Sequence, residues 1–395
     1  MDRREFVKSF VISAAAISCL SLTACGSDDD SSIETTGGIT GSENTYNLAI
    51  ICASRVNSYV NLSSVAGLEG ELKKTIGSGK GFIAIVLADG APQTASTTVE
   101  LTSTDETRLK NEINDDVESV LGTDFSAQTE EADIYSALTS ANKALSGAPD
   151  NGFDNLLVVI DSGVATKGAI NFNEVSTCNA LLNPDAFIDK LEEDGDLAEF
   201  SSIDKVVWFG MGEVTGSQSM PNQEGTEKAM ERLYRSIFEA AGVDDVSFEV
   251  ANSHATPDEG LPLVTMVSLP KVAMKDGEPI KLGDSLSFSE ENSSLTFKFG
   301  TSEFNNPAAA KKQLQQYIDT LKDFPDYSVV IKGYTDSKGS ASANQKLSKA
   351  RAQSVANLFI AAGVKKKQIR VIGKGVDKDK SKSDKNKRHV EIEFE

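Results

Sequence analysis

The sequence predicts two folded regions of different class: an α/β body over residues 45–270, built on a parallel doubly wound sheet, and an α+β domain with a mixed sheet over residues 285–395. In the first region, wholly apolar runs alternate with amphipathic stretches, as buried parallel strands and their covering helices do. In the second, the order of patterns is strand, helix, strand, helix, strand, strand. The charge also changes between them, from −27 over residues 1–284 to +7 over residues 285–395.

The amino terminus predicts an export signal, residues 1–25, followed by a disordered tether. Arg3, Arg4 and Lys8 precede an apolar run that is too short to span a bilayer comfortably. The segment Arg3-Arg4-Glu5-Phe6-Val7-Lys8 resembles the twin-arginine export consensus. Leu22-Thr23-Ala24-Cys25 resembles the lipobox of bacterial lipoproteins, which implies that Cys25 is diacylated, with palmitate as the expected fatty acid, and becomes the first mature residue. Residues 26–44 have almost no apolar content and predict the tether.

The elements of the body follow from its apolar periodicity. Gly242 is expected to stop the last helix, because glycine commonly follows a helix terminus. The predicted strands are Tyr46 to Cys52, Gly81 to Ala88, Asn155 to Ile160 and Lys205 to Gly210, and the predicted helices are Glu131 to Leu145, Pro184 to Glu193 and Glu224 to Ala241.

The body offers few candidates for chemistry. The glycine-rich segments 77–81 and 210–216 miss the phosphate-binding patterns. The chain has only two histidines, His254 and His389, and no CxxC pair, which argues against a histidine-based zinc site, a Ser-His-Asp hydrolase and thioredoxin-like chemistry. We therefore expect no metal, no cofactor and no catalytic set. The formal charge of −20 argues against nucleic acid as a partner, although the charge is unevenly spread along the chain.

The alternation of elements in the body faintly resembles von Willebrand factor A-type domains. The metal site of that family needs Asp-x-Ser-x-Ser after the first strand, where this chain has Cys52-Ala53-Ser54-Arg55-Val56. Asp161, after the third predicted strand, matches a later aspartate of the family. Because the first aspartate is missing, the resemblance implies that metal-dependent adhesion is lost.

Of two further cysteines, Cys52 ends the first predicted strand, and Cys178 follows the predicted strand Asn155 to Ile160 by one loop. In an oxidising envelope compartment they are candidates for a disulfide, and two unrelated thiols are the alternative. Residues 271–284 are expected to link the body to the second domain.

The second domain has strongly patterned elements. Asn306 and Pro307 supply a cap and a first-turn proline for its first helix. The predicted strands are Ser294 to Gly300, Ser328 to Lys332, Gln368 to Gly373 and Arg388 to Phe394, and the predicted helices are Ala308 to Lys322 and Ala343 to Ala362.

The second of these helices carries an arginine on its apolar face. At about 100° per residue, Arg351 falls within the stripe formed by Leu347, Val355, Leu358 and Ala362. A buried arginine needs an anionic partner or a ligand. The nearest plausible carboxylate is that of Asp336, so a structural ion pair and a ligand site both remain open on periodicity alone.

Three segments together resemble the peptidoglycan-binding domain of the OmpA/MotB family. They are Gly333-Tyr-Thr-Asp336-Ser-Lys-Gly339, Asn344-x-x-Leu347-Ser348-x-x-Arg351-Ala352-x-x-Val355 and Arg388-His-Val-Glu-Ile392. The resemblance implies that Asp336 takes the ammonium group and Arg351 the carboxylate of diaminopimelate in the peptidoglycan stem peptide.

The same resemblance implies roles for four further residues. It places Thr335, Asn344 and Leu347 in the lining of the pocket and adds Arg388 to the binding set. Tyr334 stands where the family usually has histidine, and Lys387-Arg388-His389-Val390 replaces an expected Asn-Arg-Arg-Val. These departures put secondary contacts in doubt more than the ligand.

The resulting expectation is a lipid-anchored envelope protein that tethers membrane to wall by binding peptidoglycan, without catalysis. The anchor would lie in the outer membrane of a diderm cell, facing the periplasm, or on the outer face of the cytoplasmic membrane of a monoderm cell. One alternative is a wall enzyme that residues 285–395 target to its substrate. Another is adhesion or binding of an unknown protein partner by the acidic body. A motor stator of the MotB kind would need a membrane-spanning helix with a functional acid, and the sequence has none.

Overall fold

The computed structural model describes residues 44–56, 58, 62, 65–214, 218, 220, 223–251, 260–262 and 265–395. The predicted export signal, Cys25 and residues 26–43 of the predicted tether lie outside the described residues. His254 and residues 215–216 of the second glycine-rich segment do so as well.

The chain divides into two compact units. The first consists of Met1–Glu174, Ile188–Ser219 and Tyr234–Ser268, and the second of Val175–Phe187, Met220–Leu233 and Leu269–Glu395. The second unit therefore includes two segments that the sequence prediction assigned to the body. It also includes the predicted linker, within which β7 (Met274–Lys275) and β8 (Glu278–Pro279) pair as an antiparallel hairpin.

The first unit is built on a six-stranded, mostly parallel sheet, which confirms the predicted α/β class. The strand order is β3-β2-β1-β4-β5-β6, and β3 alone runs antiparallel to its neighbour. Every residue of β1 and β2 is buried, as their unbroken apolar runs predict. The strands are β1 (Tyr46–Cys52), β2 (Phe82–Leu87), β3 (Gln93–Thr98), β4 (Asp154–Ile160), β5 (Lys205–Phe209) and β6 (Val246–Glu249).

The helices of this region have recognisable sequence signals at their ends. The Asp133 side chain accepts a hydrogen bond from Ser136 N and caps the helix that begins at Ile134, and Asp105 does the same for the helix that begins at Glu106. The helices that precede β7 in the chain are α1 (Leu68–Gly77), α2 (Glu106–Leu121), α3 (Ile134–Leu145), α4 (Val175–Ala180), α5 (Pro184–Asp194) and α6 (Gln223–Ala240). Of these, α4 and the first parts of α5 and α6 belong to the second unit.

The sequence prediction did not name strands β3 and β6 or helices α1, α2 and α4. Strand β3 has the sequence QTASTT and lies at an edge with most of its side chains exposed, so it lacks the apolar run of the central strands. Helix α2 buries only Val117 and Val120 among its side chains, so its apolar stripe is too narrow to stand out. Elements at the rim of a sheet carry weak apolar patterns because little of their surface is buried.

The second unit has a four-stranded mixed sheet of order β11-β10-β12-β9, which confirms the predicted α+β class. Strands β10 and β11 are parallel, whereas β12 runs antiparallel to both β10 and β9. Its further elements are β9 (Ser285–Ser289), α7 (Pro307–Asp323), β10 (Val329–Thr335), α8 (Ala341–Ala361), β11 (Ile369–Val376), α9 (Asp384–Lys387) and β12 (His389–Phe394).

The predicted position of the first strand of this sheet, residues 294–300, was wrong. Residues 294–300 form only an isolated bridge between Phe297 and Phe304, and the strand paired with β12 is β9. Both segments alternate apolar and polar residues. In the segment 294–300, Phe297 is buried by stacking on Phe304 at a centroid distance of 4.9 Å and not by a neighbouring strand.

Cys52 and Cys178, the candidates for a disulfide, are not bonded to each other in the structure. Cys52 belongs to the first unit and is fully buried, whereas Cys178 belongs to the second. No helix among the described residues is both long enough and apolar enough to span a bilayer. The same residues contain no group of three or more histidine, cysteine or acidic side chains that could hold a metal ion.

Candidate functional site

The candidate site lies where β10 ends and α8 packs against it. The pairing of β10 with β11 shifts register between Gly333 and Tyr334, and the strand ends at Thr335, directly before Asp336. Helix α8 approaches these strands so closely that a Cβ atom on Gly333 would lie 2.0 Å from the Ser348 carbonyl oxygen. A Cβ on Gly373 of β11 would lie 2.7 Å from the Lys349 backbone nitrogen. The absence of side chains at these two glycines therefore allows α8 to pack this close to β10 and β11.

The buried face of α8 differs from the predicted apolar stripe. Val355 is buried as expected, but Leu347, Leu358 and Ala362 are only half-buried. The buried side chains are Asn344, Ser348, Arg351, Ala352, Val355, Ala356 and Phe359. Arg351 nevertheless lies on the buried face, as predicted. The predicted stripe was centred on the large apolar residues of α8. The centre of the buried face lies elsewhere, because small side chains of α8 contact the glycine-containing strands.

Asp336 is held as a carboxylate at the end of β10. Its Oδ2 atom accepts a hydrogen bond from Arg388 Nη1 at 2.6 Å, and its Oδ1 atom accepts one from the Lys338 backbone N–H at 3.1 Å. Burial, the largest influence, opposes ionisation, but these hydrogen bonds and the nearby positive charges hold the pKa of Asp336 below its usual range. Each oxygen keeps capacity for a further donor, since a carboxylate has about four acceptor positions.

Arg388, directly before β12, bridges two carboxylates. Its Nη2 atom lies 2.6 Å from Glu290 Oε2, and its Nη1 atom bonds Asp336. The hydrogen bond to Glu290, followed by that to Asp336, raises the pKa of Arg388 despite partial burial. Charge-assisted bonds of this geometry are among the stronger side-chain contacts. Arg388 therefore fixes the position of Asp336 and satisfies part of its charge.

Arg351 is 3% exposed and is only partly satisfied by the protein. Its Nε atom donates to the Thr301 carbonyl at 3.0 Å, and its guanidinium carbon lies 5.1 Å from the centroid of the Phe297 ring. Among the described residues this is the one hydrogen bond of its side chain, so Nη1 and Nη2 are available. Burial, the largest influence, and then the charge of Arg388 lower the pKa of Arg351, whereas Glu290 opposes that effect.

The structure thus excludes the simple ion pair between Asp336 and Arg351 that the sequence left open. Asp336 pairs with Arg388, and Arg351 is oriented by a backbone carbonyl and an aromatic ring. Burying a charged side chain without a counter-charge in direct contact costs free energy of folding, unless a ligand or solvent completes its hydrogen bonds.

Two more side chains at the site have unsatisfied polar atoms. Thr335 and Asn344 are 1% and 4% exposed, and Thr335 Oγ1 and Asn344 Nδ2 have no hydrogen-bond partner in the described part of the chain. Buried polar atoms are usually paired, so such exceptions need an explanation. Leu347 is half-buried on the same helix. A bound polar group would satisfy the two orphan atoms.

The two departures from the family pattern lie against each other. The rings of Tyr334 and His389 stack at a centroid distance of 4.2 Å and an angle of 9°. The Tyr334 hydroxyl donates to Glu391 Oε2 at 3.0 Å. Tyr334 is therefore engaged with β12.

Sequence reasoning missed Glu290, Phe297 and Thr301. Glu290 follows β9, the strand whose position the sequence did not predict. Thr301 contributes only a backbone carbonyl, which leaves no signal in its side chain. Phe297 was interpreted as a sheet residue, although its ring contacts Arg351.

Comparison with known proteins gives one family match whose position includes this site. The model of the OmpA family matches residues 296–393. Outer membrane protein A of Klebsiella aerogenes is 33% identical over 159 residues, which cover 38% of this chain and 44% of that protein. The probable lipoprotein YiaD of Escherichia coli is 38% identical over 77 residues, covering 20% of this chain and 35% of that one. These matches span less than half the length of either relative.

Solved structures give matches over a similar share of the chain. The peptidoglycan-associated lipoprotein of Burkholderia pseudomallei is 23% identical, covers 28% of this chain and 89% of that one, and has a TM-score of 0.24. The periplasmic domain of Helicobacter pylori MotB is 20% identical, covers 30% and 78% of the two chains, and has a TM-score of 0.25. On the evidence of the family model and of the motifs around Asp336 and Arg351, residues 296–393 form an OmpA family domain in the carboxyl-terminal part of the chain.

Proposed function

We propose that this protein is a non-enzymatic component of the cell envelope that binds peptidoglycan through its OmpA family domain and recognises the diaminopimelate of the stem peptide. The observation that carries the proposal is the incomplete bonding of Arg351, a buried residue whose Nη1 and Nη2 atoms have no hydrogen-bond partner among the described residues. Asp336, held as a carboxylate directly after β10, supplies the opposite charge.

The charge balance of the site suits a zwitterion. The positive charges of Arg351 and Arg388 balance the negative charges of Asp336 and Glu290. The free end of diaminopimelate carries one ammonium and one carboxylate, so its binding leaves the site neutral. Its carboxylate would accept two parallel bonds from the terminal nitrogens of Arg351, and its ammonium would donate to Asp336.

The orphan atoms support a ligand rather than a structural role. A carboxylate oxygen of the ligand is a suitable acceptor for Asn344 Nδ2, and Thr335 Oγ1 can accept from the ammonium or donate to the carboxylate. Completing these bonds removes the cost of burying them unpaired, which is about 1 to 3 kcal/mol for each group.

We further propose that acylated Cys25 anchors the protein to a membrane, so that the chain tethers that membrane to the wall. Support comes from the lipobox-like segment before Cys25. Two proteins that are similar to part of this chain are named as an outer membrane protein and a probable lipoprotein. In a diderm cell the anchor would lie in the outer membrane and face the periplasm. Mass spectrometry of the protein from its native membrane, compared with Cys25→Ser, tests the acylation.

The peptidoglycan proposal is tested by co-sedimentation of the full chain with purified sacculi. Wild type is expected to sediment with diaminopimelate-type peptidoglycan, and Asp336→Asn and Arg351→Ala to remain in solution. Removing one member of a desolvated charge pair costs about 2 to 5 kcal/mol, whereas micromolar binding corresponds to about 8 kcal/mol. Arg370→Ala and Glu395→Gln are the matched controls, because they make the same charge changes in an exposed ion pair of the same unit.

Lysine-type peptidoglycan provides a control on the ligand side. It lacks the carboxylate that Arg351 is proposed to bind, so wild type should bind it as weakly as Arg351→Ala binds the diaminopimelate type. Equal sedimentation with both wall types would refute diaminopimelate recognition, and equal sedimentation of wild type, Asp336→Asn and Arg351→Ala would refute the site.

A further inference from the structure

The first unit has its own candidate for a binding site, at the carboxyl edge of its sheet. Strand β1 pairs with β2 on one side and with β4 on the other, and the chain continues outward in opposite directions from these neighbours. The crevice between β1 and β4 is therefore the point where the winding of the sheet reverses. Ligands of open α/β sheets bind at such points, outside the carboxyl ends of the strands.

A buried ion pair lies at this point. Arg55, three residues after β1, and Asp161, directly after β4, are 1% and 3% exposed, and Arg55 Nη1 lies 3.1 Å from Asp161 Oδ2. The backbones of Arg55 and Ser58 exchange two hydrogen bonds of 2.8 and 3.2 Å, which fix the turn that carries the arginine. The position of the guanidinium is thus determined by both the backbone and the carboxylate.

Asp161 is itself fixed from other directions. Its Oδ1 atom accepts from the Gly163 backbone N–H at 2.8 Å, and its carbonyl accepts from Trp208 Nε1 at 2.7 Å. Burial, the largest influence, raises the pKa of Asp161, although the positive charge of Arg55 opposes the rise. Asp161 can therefore satisfy one nitrogen of Arg55 but cannot turn to satisfy the others.

The remaining donors of Arg55 are unpaired. Its Nε and Nη2 atoms are both buried, and neither has a hydrogen-bond partner in the described ranges. These two nitrogens form the side edge of the guanidinium, from which their N–H bonds point in parallel. That edge matches the spacing of two oxygens of a carboxylate or a phosphate, which accept such a pair of bonds at once.

We propose that the Nε and Nη2 edge of Arg55 binds an oxyanion with two available oxygens, a carboxylate or a phosphate group, at the carboxyl edge between β1 and β4. This site is separate from the peptidoglycan site and does not depend on it. Because Asp161 already balances the charge of Arg55, binding in the wild type rests on the two hydrogen bonds more than on net charge.

The test follows the Nε–H resonance of Arg55 in the full chain, isotopically labelled and held in mild detergent, by nuclear magnetic resonance. Inorganic phosphate and acetate are titrated separately, so that the two arms show which oxyanion is preferred. The resonance is assigned by its disappearance in Arg55→Lys. We expect a saturable shift with at least one of the two anions. Arg370, exposed and paired with Glu395, provides the internal control and should not show that shift.

Two variants test whether the two parallel N–H donors of Arg55, and not its positive charge alone, bind the anion. Arg55→Lys keeps the positive charge but lacks two parallel donors, so binding measured by calorimetry should fall by about tenfold or more. Asp161→Asn removes the competing negative charge and should strengthen binding by a similar factor. Trp208 fluorescence verifies that both variants remain folded.

The wild-type titration decides the proposal even if a variant does not fold. An Arg55 Nε–H resonance that moves with neither anion, or only in step with Arg370, would overturn it. Unchanged binding in folded Arg55→Lys would overturn it as well, because the planar donor edge would then be unnecessary.

Discussion

Replacement of Gly333 by alanine tests whether the approach of α8 to β10 sets the peptidoglycan site. The new Cβ would lie 2.0 Å from the Ser348 carbonyl oxygen and 2.9 Å from its carbonyl carbon, whereas Cβ atoms essentially never approach closer than 3.0 Å. Helix α8 would have to retreat by about 1 Å, since both obstructing atoms belong to its backbone. Overpacking of this kind costs about 1 to 3 kcal/mol, and the upper end applies where backbone must move.

The consequence for the site follows from the residues that α8 carries. Asn344, Ser348 and Arg351 would move together, and the hydrogen bond of 2.9 Å from the Gly375 N–H to Ser348 Oγ would be lost or lengthened. Binding that depends on two fixed charges should fall by about a hundredfold for a misplacement of that size. Urea unfolding followed by circular dichroism, hydrogen exchange over residues 341–361 and co-sedimentation with peptidoglycan measure the three effects.

The matched control is Gly70→Ala in α1. A Cβ at Gly70 has no neighbour within 4 Å, and alanine is favoured over glycine inside a helix by about 1 kcal/mol. The same substitution should therefore stabilise the chain at one position and destabilise it at the other. If Gly333→Ala retained both wild-type stability and peptidoglycan binding, the packing of α8 would not determine the site.

Two further predictions concern titrating groups. Burial, and then the charge of Lys382, lower the pKa of His389, so the unfolded chain binds a proton more readily than the folded one. The contribution of neutral His389 to the free energy of unfolding should be fully present above about pH 6.5 and should be lost as the pH decreases below that value. Urea unfolding at a series of pH values measures this dependence, and His389→Gln should make it flatter. An unchanged slope in His389→Gln would show that another group causes the dependence. Burial raises the pKa of the Cys178 thiol to about 11 and raises that of Cys52 well above its usual range, so thiol titration of the native protein at neutral pH should be slow and should reach both thiols on unfolding without reductant. Recovery of either thiol only after reduction would show a disulfide.

The sequence predicted the buried central strands of the first unit better than the strand at the exposed edge of its sheet. Strands β1, β2, β4 and β5 were found because most or all of their residues are buried. Strand β3 at the sheet edge was missed because its threonine-rich sequence has no apolar run. Periodicity measures burial, so it fails where an element is ordered by hydrogen bonds at an exposed edge.

At the candidate site, the sequence predicted the two charges but not the contacts that orient them. Asp336 and Arg351 were singled out by their motifs and by the position of Arg351 on a buried helix face. The ion pair between Arg388 and Glu290 was not predictable from the sequence, because the two residues lie 98 positions apart. Glu290 also follows β9, a strand that the sequence placed at residues 294–300. A carbonyl such as that of Thr301 leaves no trace in the residue types.

The buried arginines Arg55 and Arg351 differ from the half-buried Arg232 in the feature that indicates a ligand. Arg232 donates through Nη1 to the Pro279 carbonyl and through Nη2 to two more carbonyls, so its terminal nitrogens are used within the second unit and a structural role is sufficient. Arg351 leaves both terminal nitrogens available, and Arg55 leaves its side edge unpaired. A pair of parallel donors can bind two oxygens of one anion, whereas a single orphan nitrogen such as Arg232 Nε cannot. The unsatisfied pair, and not burial or charge alone, is therefore what distinguishes the two proposed binding arginines from the structural one.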